Sequence, residues 1–282
     1  MSGNWRLRIV PMVAVVTLAL AAPAWAAGVE FPDKNLETVI REILKKKQID
    51  KPEIDEADLK TIYFLEAPKR GIKNLTGVDK CTNLALVSLP ENDIEDLKPL
   101  AECKNIQSLT LARNHITDLA PLSSLVKLQY IDVTGNQVGS VEPLAGLDNL
   151  RTFLASGNKI PTLEPLAKLT KIQSLDLDGN QLTSLVGVQG MRWLSNLRIR
   201  NNKIADLTPL AALTDLKFTF LNGNPVTDLT TLVTMAKNDV EGPQRFAPYW
   251  MLFLDVDALP EPARPQVEEL RKLGVRVNPS KT

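Results

Sequence analysis

The chain has 282 residues, 33 basic against 33 acidic side chains and a 44% hydrophobic composition, enough for a sizeable core in one elongated domain. So even a charge balance leaves no basic footprint for nucleic acid. One histidine and two cysteines give no zinc spacing, and no Ser-His-Asp or Cys-His set can be assembled from them.

At the N-terminus, Arg6 and Arg8 precede an apolar run from Ile9 to Ala22, and Ala24, Trp25 and Ala26 form an A-x-A site. This pattern predicts a signal peptide over residues 1–26, cut before Ala27. The run is short for a membrane span of about 20 residues, no second run follows, and no cysteine stands at the cleavage site to take a lipid. The expected mature chain is exported, periplasmic or secreted, with no membrane span. Cleavage removes two basic residues and no acidic ones, so the mature balance is slightly acidic.

Residues 27–61 read as an N-terminal helical cap. After Phe31-Pro-Asp, the residues Leu36, Val39, Ile40, Ile43 and Leu44 form an apolar stripe at helical spacing. Lys45, Lys46 and Lys47 follow at the helix C-terminus, where cations suit the dipole. Asp55 and Asp58 have the spacing of an N-cap and its N3 residue in a second short helix.

From residue 62 to 235 the chain repeats itself every 22 residues. An asparagine returns at Asn92, Asn114, Asn136, Asn158, Asn180, Asn202 and Asn224. Around each copy lies the apolar skeleton L-x-x-L-x-L-x-x-N-x-L, the leucine-rich repeat pattern. The L-x-L core predicts a short strand whose leucines point inward, and stacked units then share one parallel sheet and one core. The asparagine amide falls at the turn off the strand, inside the stack, where neighbouring backbone groups can satisfy it. Pro99, Pro121, Pro143, Pro165 and Pro209, each followed by leucine, predict short 3₁₀ turns on the return half. The expected fold is α/β, a right-handed leucine-rich repeat solenoid with helical caps at both ends.

The opening unit is degenerate, with Arg70 at the asparagine position. In Phe31-Pro-Asp-Lys-Asn-Leu, Gly71-Ile-Lys-Asn-Leu-Thr-Gly-Val and Cys81-Thr-Asn-Leu the chain resembles the cap and first repeats of internalin-type bacterial leucine-rich repeat proteins. Its 22-residue units with a Pro-Leu step also resemble that subclass, which intracellular phosphatase regulators share. The resemblance covers residues 30 to 235 and implies an exported protein-binding scaffold. No wall-anchoring tail or immunoglobulin-like module is read after the repeats. Cys81 and Cys103 occupy one column in consecutive units. The spacing leaves two readings open, a disulfide or two small buried hydrophobes.

Two residues per strand should face out of the concave sheet, where solenoids bind. The first column runs Phe64, Leu86, Ser108, Tyr130, Thr152, Ser174, Asn196, Phe218. The second runs Glu66, Ser88, Thr110, Asp132, Leu154, Asp176, Arg198, Phe220. Asp176 and Asp178 should meet Arg198 and Arg200 across neighbouring strands. Thr219 falls in an inward column otherwise filled by larger apolar residues. After Asn224 the period breaks. Residues 236–282 read as a last degenerate unit, displaced by an 11-residue insertion, and a C-terminal cap. In it Leu252 and Leu254 mark the strand, Asp257 takes the asparagine slot, and Val267, Leu270 and Leu273 line a closing helix. Met251 and Phe253 would then extend the two outer columns beside Phe218 and Phe220.

The functional expectation is an exported monomeric scaffold that binds a protein through this concave face. Its site residues would be Tyr130, Asp132, Asp176, Asp178, Arg198, Arg200, Phe218, Phe220, Met251 and Phe253. No catalytic residue, cofactor or metal site is read, and His115 lies in a variable surface column. A self-associating envelope component is the alternative, and a carbohydrate-binding role for Tyr130, Asp132 and Asp176 is a third.

Overall fold

Each predicted L-x-L core forms a three-residue strand. The computed structural model describes residues 28–279, so the expected signal peptide lies outside the described residues. Ten strands stand in chain order in one parallel sheet. They are β1 (Phe64–Glu66), β2 (Leu86–Ser88), β3 (Ser108–Thr110), β4 (Tyr130–Asp132), β5 (Thr152–Leu154), β6 (Ser174–Asp176), β7 (Asn196–Arg198), β8 (Phe218–Phe220), β9 (Met251–Phe253) and β10 (Arg276–Val277). From β1 to β8 every residue pairs with its counterpart in the next unit. The central residue of each strand points into the core, and Leu109, Ile131, Phe153 and Leu175 are fully buried.

The repeated asparagine holds successive turns together. Asn158 Nδ2 donates to Val133 O at 3.0 Å and Ala155 O at 2.9 Å, while its Oδ1 accepts from Val138 N at 2.9 Å. Asn92, Asn114, Asn136, Asn180, Asn202 and Asn224 repeat the pattern on their own preceding units. Six of the seven are buried, and Asn224, the last, is half-buried. A side chain with both donor and acceptor is needed here because each turn leaves backbone groups of both kinds without sheet partners.

The five Pro-Leu steps form 3₁₀ turns with proline at the first or second position. Gly77 and Gly187 stand in that proline column instead, at φ 98° and 113°. A Cβ on Gly77 would lie 2.6 Å from the Phe31 ring, and one on Gly187 would lie 2.2 Å from Leu163 O. Both positions therefore require glycine twice over, for conformation and for space.

The N-terminal cap follows its expected chemistry. Helix α1 (Lys34–Lys46) buries Leu36, Val39, Ile40 and Leu44, and α2 (Glu56–Leu59) carries a capping box between Asp55 and Asp58. Asp33 joins cap to repeat: Oδ1 accepts from Asn35 N and Leu36 N, and Oδ2 accepts from Lys73 N and Asn74 N. Burial raises its pKa, but these four N–H bonds outweigh that and hold it below the ordinary carboxylate value.

At the other end, α3 (Thr230–Glu241) fills the return half after β8, and buried Asp239 accepts from the N–H groups of Arg245, Phe246 and Ala247. Helix α4 (Arg264–Lys272) closes the core with Val267 and Leu270, and Leu273 packs partly buried beside them. Asp257 does not occupy the asparagine slot. It is exposed in the 3₁₀ turn Val256–Ala258. A carboxylate has no N–H to donate, so it cannot make the ladder's bonds. Instead Asn278 flanks Leu254, donating to its carbonyl at 2.8 Å and accepting its N–H at 3.1 Å. Thr219 is buried because Trp250 Nε1 donates to its Oγ1 at 2.9 Å, and Trp250 itself is fully buried.

Cys81 and Cys103 are free, buried thiols, and Cys103 Sγ donates to Val78 O at 3.3 Å. Burial pushes both up to about 12, with the neighbouring Cys103 adding to the rise at Cys81 and the Asp79 charge at both. The folded state thus favours the thiol form. Stability from these groups is full below the ordinary thiol pKa and falls as pH rises from there toward about 12. Iodoacetamide at pH 8 is expected to leave both thiols unmodified in the native protein and to alkylate both in denaturant. Mass spectrometry reads the difference.

Candidate functional site

Strand pairing assembles the predicted surface at the C-terminal end of the concave face. β8 pairs with β9 so that Phe218 meets Met251 and Phe220 meets Phe253. Neighbouring strands lie about 4.8 Å apart, a spacing that stacks aromatic rings. Phe220 and Phe253 accordingly stand face to face, with centroids 4.5 Å apart and planes 3° from parallel. The Arg198 guanidinium lies 4.8 Å from the Phe220 centroid, and that of Arg200 lies 5.5 Å away. Phe218 is 40% exposed, while Phe220, Met251 and Phe253 are half-buried. Among the described residues the C-terminal segment does not fold across them. It pairs with β9 as β10, with Arg276 opposite Met251.

The two arginines are anchored by the two aspartates of the preceding unit. Asp178 accepts Arg200 N at 2.7 Å and Arg200 Nε at 2.8 Å, and lies 3.4 Å from Arg198 Nη2. The side-chain bond to Asp178 raises the Arg200 pKa further. Asp176 accepts from the Ser156 hydroxyl. Arg198 Nε lies 3.0 Å from Asp176 Oδ2, yet its N–H is not aimed there, so the contact is ionic without being a hydrogen bond. On the same strand, buried Asn196 Oδ1 also lacks a partner among the described residues. Charge is neutralised inside the cluster, and both guanidinium groups are held beside an aromatic pair.

Tyr130 and Asp132 are not part of this assembly. They sit on β4, three strands before β7. Asp132 accepts Thr134 N at 2.9 Å, and burial, followed by the Asp132 charge, raises the Tyr130 hydroxyl. Two strand spacings, about 10 Å, separate Asp132 from Asp176. His115 is exposed, with Nε2 3.5 Å from Asp93. Among the described residues three exposed aromatics lie outside the expected columns, Tyr63 at 51%, Trp193 at 57% and Tyr249 at 64% exposure. They occupy the segments leading into β1, β7 and β9. The signal for Trp193 was an aromatic in a column otherwise held by Asn83, Asn105, Lys127, Asn149 and Lys171. Among the described residues no helix is long and apolar enough to cross a membrane.

The family described as Leucine Rich repeats (2 copies) matches residues 104–146 and 148–189. Among solved structures, internalin C2 from Listeria monocytogenes is 32% identical, with 73% of this chain and 90% of that chain covered and a TM-score of 0.68. An internalin (inlF) from the same organism is 22% identical over 88% of each chain, with a TM-score of 0.52. The functional domain of InlJ from Listeria monocytogenes, described as including a cysteine ladder, is 22% identical, with 79% of this chain and 55% of that one covered and a TM-score of 0.54. No curated protein sequence matches the chain. A 22-residue unit, an asparagine ladder, a helical cap sealed by Phe31 and Asp33, and the likeness to internalin C2 agree: the chain belongs to the internalin-type bacterial leucine-rich repeat proteins.

Proposed function

We propose that this protein is an exported, monomeric, non-enzymatic scaffold whose concave face captures a protein partner at its C-terminal end. In this reading residues 1–26 are cleaved on export and residues 27–61 cap the solenoid. Residues 62–235 supply the repeats, and residues 236–282 complete the binding surface and close the core. The observation that carries it is the stacked Phe220–Phe253 pair, left open beside Phe218 and Met251 and flanked by Arg198 and Arg200. Aromatics and arginine are the side chains that most often anchor interfaces, and the leucine-rich repeat fold is a protein-binding scaffold. The chain calls on no cofactor, metal or nucleic acid.

The test is capture of envelope and host-surface proteins by the processed chain, its N-terminus fixed by mass spectrometry, against Phe220→Asp and Phe253→Asp. One partner should bind saturably and lose about 30-fold or more in affinity in each variant, as hot-spot residues of 2 kcal/mol or above require. Circular dichroism and Tm establish that the variants fold. Equal capture by all three proteins overturns the placement of the site. A concentration-dependent dimer abolished by both substitutions would favour self-association instead.

A further inference from the structure

The opposite end of the solenoid carries a second exposed surface of different chemistry. Tyr63 and Phe64, adjacent in sequence at the outermost strand, are 51% and 60% exposed. Phe64 pairs with half-buried Leu86 on β2, so the apolar strip continues one unit inward. Helix α1 ends beside it, and Lys47 Nζ stands 5.9 Å from the Tyr63 ring centroid. Lys46 and Lys47 are exposed, and among the described residues neither lies within ion-pair distance of a carboxylate. The carboxylates nearby in sequence are taken: Glu42 pairs with Arg70, and Asp50 lies 3.8 Å from Lys45. Glu66 alone remains open on β1.

We infer that this N-terminal end docks onto an anionic lipid surface through Tyr63 and Phe64, with Lys46 and Lys47 at the headgroups. Aromatic rings beside free lysines fit the boundary between lipid headgroups and hydrocarbon, where each ring buries its apolar body and each ammonium stays with the phosphates. A soluble polyanion would use the lysines and leave the rings idle. The position suits the role, because β1 is the outermost strand of the sheet and, among the described residues, only the cap lies beyond it, so that a planar surface can approach end on. This inference is independent of the concave-face reading, since β1 and β9 lie at opposite ends of the sheet.

The test is co-sedimentation of the processed chain, residues 27–282, with phosphatidylcholine vesicles with and without phosphatidylglycerol. Binding should require the anionic lipid. Lys46→Gln with Lys47→Gln should weaken it about 25-fold, at about fivefold per lysine. Tyr63→Ser with Phe64→Ser should weaken it by about tenfold or more while Tm holds, because both side chains are exposed. Phe220→Asp should leave it unchanged. Absence of binding, equal binding to neutral vesicles, or full binding by either double variant overturns the inference. So does binding that heparin abolishes while the aromatic variant retains it.

Discussion

Replacing Asn158 with alanine is expected to destabilise the solenoid by about 2–6 kcal/mol, about 1–3 kcal/mol for one buried N–H left without a partner and about 0.5–1.5 kcal/mol for each of two lost bonds to carbonyls. Three backbone groups are at stake: Val138 N loses its acceptor outright, while Val133 O and Ala155 O lose one donor each and keep Asn136 Nδ2 and Asn180 Nδ2. All three lie inside the stack, where water cannot replace the amide without opening it. Asn158→Asp should do no better. It keeps the acceptor for Val138 N but turns an oxygen toward two carbonyl oxygens. Asn224→Ala should cost less, because that amide is half-buried at the end of the ladder. Chemical denaturation of the three variants gives the order directly. A loss below about 1 kcal/mol for Asn158→Ala would show that the turns hold themselves.

Gly187→Pro is expected to destabilise by about 3 kcal/mol or more, although it restores the residue most units carry there. Proline demands φ near −65°, and this backbone stands at 113°. Its ring would enter space where even a Cβ meets Leu163 O at 2.2 Å, and the Gly187 N–H bond to Gln189 Oε1, 2.7 Å long, would be lost. Gly187→Ala keeps that N–H and suffers the same clash, so it should fall between proline and the native chain. Thermal melting decides. An unchanged or raised Tm for the proline variant would mean that this unit can relax into the form of its neighbours.

The strands and the ladder were legible in the sequence because each inward residue recurs where the physics of stacking needs it. Even β9 could be aligned through an 11-residue insertion, since Leu252 and Leu254 carry the inward pattern and fix where Met251 and Phe253 face. The open aromatic patch follows from that register alone. Asp257 was misread because spacing was weighed above chemistry: its position fits, but its side chain cannot donate. Asn278 was missed because it serves the last unit from outside the period. The positive φ at Gly187 was hidden by a residue that tolerates any backbone. Trp250 escaped because it lies in a register position, opposite Lys217, that elsewhere holds Gln129, Arg151 and Gln173. Its burial depends on Thr219, a pairing that no periodicity announces.

The asparagine ladder also fixes how such a gene can change length. Each amide serves the unit before it and asks nothing of its own unit that a neighbouring copy would not supply. A recombination that duplicates or removes one whole 22-residue unit between Asn114 and Asn180 therefore rejoins like to like, and every bond across the junction re-forms. The two ends have no such freedom: Asp33 is fitted to Lys73 and Asn74, and Asn278 to Leu254. The middle of the chain is free to grow or shrink in whole steps, and that sets the distance between its two aromatic ends.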